Sequence, residues 1–259
     1  MLNERQRKMM QYLSEEGFVK VETFSKMFQV SGETIRRDLK LLEANDYIKR
    51  VHGGVLYENQ RSKEKTYDAR TQRNFAEKRA IARLAAQYVE NGDSIAMNTG
   101  TSTLELAYEL AKKERLTVVT NSMEVARVIV ENKTHEVYLA GGCLRKEGYG
   151  LSGELCCEFL SMFHVDKVFL SVGGIAEKSG VTEYHVQESA VMREMIKMSN
   201  KIMVLADYSK FNEIAFQKIC EYNKIDYLFT DWRTPMKEIT ACKNHGIRVI
   251  TAKKPEMWE

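Results

Sequence analysis

Apolar positions at the start of the chain recur with the period of a helix, three times in quick succession. Met9, Met10 and Leu13, with Tyr12 on the flank, mark a first helix over residues 3–16, and Gly17 stands where a carboxy-terminal cap belongs. Val21, Phe24, Met27 and Phe28 repeat the pattern over residues 21–28. Ile35, Leu39 and Leu42 then form the stripe of a third helix that follows Ser31, an N-cap residue. After Asn45 the period changes. Residues 47–51 and 55–57 flank His52-Gly53-Gly54, which predicts a two-stranded hairpin about a glycine turn. Three helices and a hairpin in this order make a winged helix-turn-helix over residues 1–57.

Residues 58–74 are polar, nearly without aliphatic side chains and without a sustained period, so they read as a linker. A helix is expected over 75–90, with Ile81, Leu84, Ala85 and Tyr88 inward. Short β-rich runs follow at 94–97, 117–120, 137–140, 168–172, 202–205, 227–229 and 248–251, interleaved with helical patterns. Such alternation predicts a Rossmann-like α/β domain over 75–259 with a mostly parallel sheet. The expected fold class is α/β: an N-terminal winged helix-turn-helix and a C-terminal α/β sensor domain.

Bulk composition excludes more than it asserts. At 259 residues and 44% hydrophobic, the chain can bury one large core and one small one. Its net charge of +3 says little about nucleic acid, so any such case rests on where the charges sit. The five cysteines, Cys143, Cys156, Cys157, Cys220 and Cys242, lack C-x-x-C spacing, and two are adjacent. Reduced thiols in a cytoplasm are the simple reading, with no disulfide framework, metal or cofactor expected. No secretion leader or membrane-length apolar run is visible. Met192, Met195 and Met198 read as core or as an oligomer contact.

The candidate chemistry lies in two places. On the outer face of the third helix stand Ser31, Thr34, Arg36, Arg37 and Lys40, and on the hairpin Lys49, Arg50, His52 and Gly53. A helix fits the major groove of double-stranded DNA, where arginine forks reach guanine or phosphate and a basic wing suits the backbone or minor groove. The plainer alternative is a solvated charged face on a small bundle. In the larger domain, ligands of a doubly wound sheet bind beyond the carboxyl ends of its strands. There lie Thr99, Gly100, Thr101 and Ser102 at a helix start, Asn121, Gly141, Gly142, Gly173 and Lys210. Glycine admits a close anion, and free N–H groups with hydroxyls bind phosphate. Gly-Gly pairs also serve as ordinary turns, and Lys210 as an ordinary surface lysine. Glu188 opens a helix, where it either favours the dipole or accepts from sugar hydroxyls.

The run Arg5-x3-Met9-x3-Leu13, then Ser31-x2-Thr34-Ile35-Arg36-Arg37-Asp38-Leu39 and Lys49-Arg50-Val51-His52-Gly53-Gly54, resembles the DeoR family of bacterial sugar-metabolism regulators. The resemblance implies a repressor on operator DNA, released by a phosphorylated sugar or related metabolite. It also implies that Asp38 is a structural partner for nearby cations. The larger domain is similar to the family's sensor domain, and in fold to ribose-5-phosphate isomerase. That similarity sets Lys78 where the enzyme has a lysine near the phosphate. It sets Glu194 on the catalytic glutamate, but Val172, Ile175 and His185 on the two catalytic aspartates and the lysine. Val and Ile can be neither base nor oxyanion donor. A regulator is therefore expected rather than an isomerase with a DNA-binding module or a scaffold, and as a homodimer or homotetramer, since one winged helix covers too little DNA.

Overall fold

A computed structural model of the protein describes residues 3–16, 18–44, 48–51, 53–57 and 66–255. Gly17, Asn45, His52 and residues 58–65, each of which carried a sequence expectation, lie outside the described residues. Two compact units divide between Lys63 and Glu64.

In the first unit, α1 (Glu4–Glu16), β1 (Phe18–Val19), α2 (Val21–Phe28) and α3 (Gly32–Ala44) precede the hairpin strands β2 (Ile48–Val51) and β3 (Gly54–Tyr57). Met9, Leu13, Phe24, Ile35, Leu39, Leu42, Ile48 and Val55 form one core, so the predicted stripes do face one another. Strand β1 escaped the sequence reading because two residues show no period; it pairs antiparallel with β3 and makes the wing three-stranded. Between α2 and α3 the chain reverses through Gln29 in the left-handed region (φ 51°), and the Ser31 hydroxyl accepts from the Thr34 N–H at 3.3 Å. That caps α3.

Asp38 locks α3 onto α1. It is buried; one carboxylate oxygen takes Arg5 Nε at 2.6 Å and the other takes Gln6 Nε2 at 2.9 Å. Gln6 in turn accepts from the Asn3 N–H at 3.0 Å, while Asn3 Oδ1 accepts from the Gln6 N–H at 2.8 Å. This reciprocal pair closes the start of α1 as a capping box does.

The second unit opens with α4 (Tyr67–Gln72), α5 (Phe75–Ala86), β4 (Ser94–Met97), α6 (Thr101–Leu110), β5 (Thr117–Thr120), α7 (Met123–Val130) and β6 (Glu136–Leu139). A short pair, β7 (Cys143–Leu144) and β8 (Leu151–Ser152), leads into α8 (Glu154–Ser161) and β9 (Val165–Ser171). Then come β10 (Gly174–Ala176), β11 (Gly180–Glu183), α9 (Val186–Lys197), β12 (Ser199–Leu205), β13 (Gln217–Cys220), β14 (Tyr227–Thr230), α10 (Met236–Asn244) and β15 (Arg248–Thr251). The seven expected strands are all found in one parallel sheet of order β15-β14-β12-β9-β4-β5-β6. Ile95, Met97 and Val118 turn to one face with Ile81, Leu106 and Val125 of α5, α6 and α7. Ala96, Val119 and Val168 turn to the other with Leu160, Val191 and Cys242 of α8, α9 and α10. Met192, Met195 and Met198 belong to this second core.

Two expectations need correction. The stretch 58–74 is not all linker, because Tyr67–Gln72 is helical and falls in the larger unit. A single turn and a half without a buried residue leaves no apolar period to detect. The helix expected to reach residue 90 ends at Ala86, where Gln87, Tyr88 and Val89 make tighter bonds to Leu84, Ala85 and Ala86. No helix among the described residues is long and apolar enough to cross a membrane.

Replacing Asp38 with Ala strands the Arg5 fork and the Gln6 amide. The first unit should lose about 1–3 kcal/mol, read from chemical denaturation of the full chain. The Arg5→Ala, Asp38→Ala double variant should lose less than the sum of the singles; additive losses would show that the pair does not couple.

Candidate functional site

On α3, burying Ile35, Leu39 and Leu42 turns Arg36, Arg37 and Lys40 outward, and all three are exposed. Arg36 makes a surface contact of 3.6 Å to Glu33, a kind of pair worth about 0–1 kcal/mol, so that contact is easily given up to another anion. Ser31 and Thr34 are differently placed: their hydroxyls lie 2.9 Å apart and are engaged in the cap. On the wing, Arg50 is exposed, and its N–H donates to the Glu43 carboxylate at 3.2 Å, tying hairpin to helix. Gly53 forms the exposed tip with φ 89°, a conformation that favours glycine. Lys49 lies in β2, its side chain outside the described residues, as is His52.

The second region lies where the sheet reverses its order. Chain order runs outward from β4 through β5 and β6, then resumes on the other flank at β9, so the carboxyl ends of β4 and β9 border the switch point. Asn98 bridges it: its Nδ2 donates to the Ser171 carbonyl at 2.9 Å and its Oδ1 accepts from the Ser171 N–H at 2.8 Å. Gly100 sits against Ser171 and precedes α6, whose first N–H groups receive no side-chain cap. Thr103 turns back, donating to the carbonyls of Asn98 (2.8 Å) and Gly100 (2.9 Å). Asn121 is also committed, accepting from Thr99 N–H at 3.0 Å and donating to the Leu151 carbonyl at 2.8 Å. Both polar ends of this predicted ligand residue therefore hold loops together. Thr101 and Ser102 are buried at the helix start, and none of the hydrogen bonds that hold the loop uses their hydroxyls.

Lys78, on α5, is buried and donates to the Arg70 carbonyl at the end of α4. Burial pulls its ammonium down to about 8 and Lys210 adds to this, while buried Asp207 opposes it. Asp207 accepts from Asn74 Nδ2 at 2.8 Å and from the Ser209 N–H and hydroxyl at 3.0 and 2.6 Å. Lys210 reaches the Gly173 carbonyl at 3.4 Å. Lys78, Lys210, Asp207 and Gly173 thus meet at the β9 and β12 ends of the sheet.

Other predicted residues gather separately. Glu188, in the first turn of α9, takes Arg145 at 2.7 Å, and Gly142 packs on Ser152 and Cys156. Gly141 is exposed with open space around it. Glu194 lies about 9 Å further along α9 than Glu188, paired with Lys197 at 2.7 Å. The Val165 N–H bonds the Met198 carbonyl at 2.8 Å, which sets this end of α9 at the opposite, amino-terminal edge of the sheet. Val172 and Ile175 are buried in the core. Burial pushes the Cys156 thiol up to about 12, which makes it inert. Asn98 and Asp207 each directly follow an apolar run, as the candidate ligand residues do, but here they hold neighbouring backbone and side chains. Asn74 and Tyr67 were missed because they fall in the supposed linker.

The DeoR-like helix-turn-helix domain matches residues 5–61, and the DeoR C terminal sensor domain matches residues 73–232. The chain belongs to the DeoR family. HTH-type transcriptional repressor GlcR of Bacillus subtilis (strain 168) is 33% identical to this DeoR-family chain over 245 residues, covering 95% of it and 94% of GlcR. The glycerol-3-phosphate regulon repressor of Escherichia coli (strain K12) is 29% identical over 246 residues, covering 95% and 97%. Among solved structures, ribose 5-phosphate isomerase A from Methanocaldococcus jannaschii overlays 53% of the chain and 55% of its own, with 17% identity and a TM-score of 0.41.

In this DeoR-family sensor, Gly100 is fixed by contact rather than by backbone strain. Its φ of 176° suits any residue, but an added methyl would stand 2.3 Å from Ser171 Cβ and 2.5 Å from its Oγ. Gly100→Ala should therefore cost the second unit about 1–3 kcal/mol. Adding Ser171→Gly should restore most of that in thermal unfolding; failure to do so would mean that the contact is not what selects glycine.

Proposed function

We propose that this chain represses a sugar-utilisation operon by binding double-stranded operator DNA as a homodimer or homotetramer in the cytoplasm, and leaves the operator when a phosphorylated sugar or related metabolite occupies its sensor domain. The observation that carries the DNA reading is the outward set of Arg36, Arg37 and Lys40 on a helix whose other face is wholly buried. Ser31 and Thr34 position that helix, Arg50, Lys49 and Gly53 belong to the wing, and His52 adjoins them in sequence. Two-fold pairing lets two such helices enter major grooves about 34–36 Å apart.

The effector reading rests on the uncapped start of α6 beside two lysines. A phosphate there accepts N–H bonds from the helix start and hydroxyl bonds from Thr101 and Ser102, with Lys78 and Lys210 as counter-charges. A dianion also relieves Lys78 of the cost of its burial. Gly100 and Gly173 allow close approach, while Thr99 and Asn121 hold the loop. Glu188, Gly141 and Gly142 gather apart from this loop and are assigned to the sugar in this reading. On the same reading the sensor is a binding site rather than an isomerase: the family resemblance sets buried, apolar Val172 and Ile175 on the catalytic acids, and Glu194 lies at the far edge of the sheet.

Arg36→Ala and Arg37→Ala should each weaken operator binding by about 1–3 kcal/mol while the sensor stays folded and ligand-competent. Unchanged affinity in both variants, measured by fluorescence anisotropy, would remove α3 as the recognition helix. In the same assay a sugar phosphate should shift the operator equilibrium and the matched free sugar should not. Ser102→Asp should bind operator yet no longer respond, because its carboxylate occupies the phosphate position. Equal responses to the two ligands, or a Ser102→Asp protein that still responds, would place the effector elsewhere.

A further inference from the structure

Helix α4 follows the wing in sequence and falls in the second unit. It has no buried residue, and six residues are too few for a helix to persist alone. Its first residue, Tyr67, packs its ring on Gly148, where an added Cβ would come within 2.7 Å of the ring and 3.5 Å of Thr99. Its last turn leaves carbonyls without intrahelical donors. One of these, on Arg70, takes the buried ammonium of Lys78. Just beyond, Asn74 fixes the entry to α5 on Asp207 at 2.8 Å and Ser209 at 3.2 Å.

We infer that α4 reports occupancy of the anion site, with Lys78 as the positioning residue that bridges the two. This rests on the reading that a phosphate binds at the start of α6. An ammonium has three donors, so Lys78 can hold the Arg70 carbonyl and a phosphate oxygen together, with no bond given up. Docked α4 then keeps Lys78 aimed at the phosphate, and bound phosphate keeps α4 docked. Linkage makes the two effects equal. The element nearest in sequence to the wing is thereby the one whose stability the ligand changes, as expected of a weakly held local unit.

Hydrogen exchange of the full-length protein with millimolar inorganic phosphate as the probe tests this. Exchange over Tyr67–Arg73 should slow by about fivefold or more at saturation, together with that at Gly100–Thr103. A second measurement uses Tyr67→Ala, which undocks α4 without touching the loop hydroxyls. That variant should bind operator as the parent does, bind phosphate about fivefold or more weakly, and lose the effect of sugar phosphate on operator affinity. Slowing at Gly100–Thr103 alone, or an unimpaired response in Tyr67→Ala, would overturn the inference while leaving the effector site standing. No slowing at Gly100–Thr103 would overturn the site itself, and the inference with it.

Discussion

The larger unit depends on how β4 and β9 are joined at the point where the sheet reverses its order. Past the end of each strand the ladder stops, yet the backbone of Ser171 is left with a donor and an acceptor in a half-buried setting. Asn98 supplies one group of each kind and satisfies both. A buried amide left unpaired costs about 1–3 kcal/mol, so the bridge is worth most by what its absence would expose. Its closure also fixes the separation of the two strand ends. Gly100 can then touch Ser171 directly before the first turn of α6.

From this constraint follows a division of labour among polar residues. Thr103 and Asn121 look from composition like ligand-binding residues, but their hydrogen bonds are spent on backbone groups of neighbouring loops. Lys78 is kept charged in a buried place only with the help of a carbonyl and a nearby carboxylate. The first unit shows the same economy on a smaller scale. Asp38 directly follows the exposed Arg36 and Arg37, yet it faces inward and orders α1 against α3.

Period and turn chemistry made most of the fold legible. The stripe of Ile35, Leu39 and Leu42 and the apolar runs of all seven parallel strands were readable because burial on one or both faces imposes a repeat. Elements below the length of one period were not: β1, the β7–β8 pair, the small antiparallel sheet of β10, β11 and β13, and α4. The candidate site was legible in part. Which residues follow a strand end can be read from the sequence, and Thr99, Gly100 and Lys210 do lie past the ends of β4 and β12. Which of them point into the crevice and which hold its walls depends on hydrogen bonds between residues far apart in the chain, such as Asn121 with Leu151 or Lys78 with the carbonyl of Arg70. Resemblance, not pattern, brought Lys78 forward, because a lysine within an amphipathic helix carries no local mark of burial.

The separation of wall from opening has a bearing on how such a protein changes over generations. Substituting Asn98 or Thr103 breaks bonds that the backbone needs, so drift there is punished by misfolding before any effect on recognition is felt. The hydroxyls of Thr101 and Ser102 take no part in those bonds, and exchanging them leaves the bonds of Asn98 and Thr103 in place. If the effector binds as proposed, a lineage built on this loop can thus change what it recognises by small steps, each intermediate remaining folded.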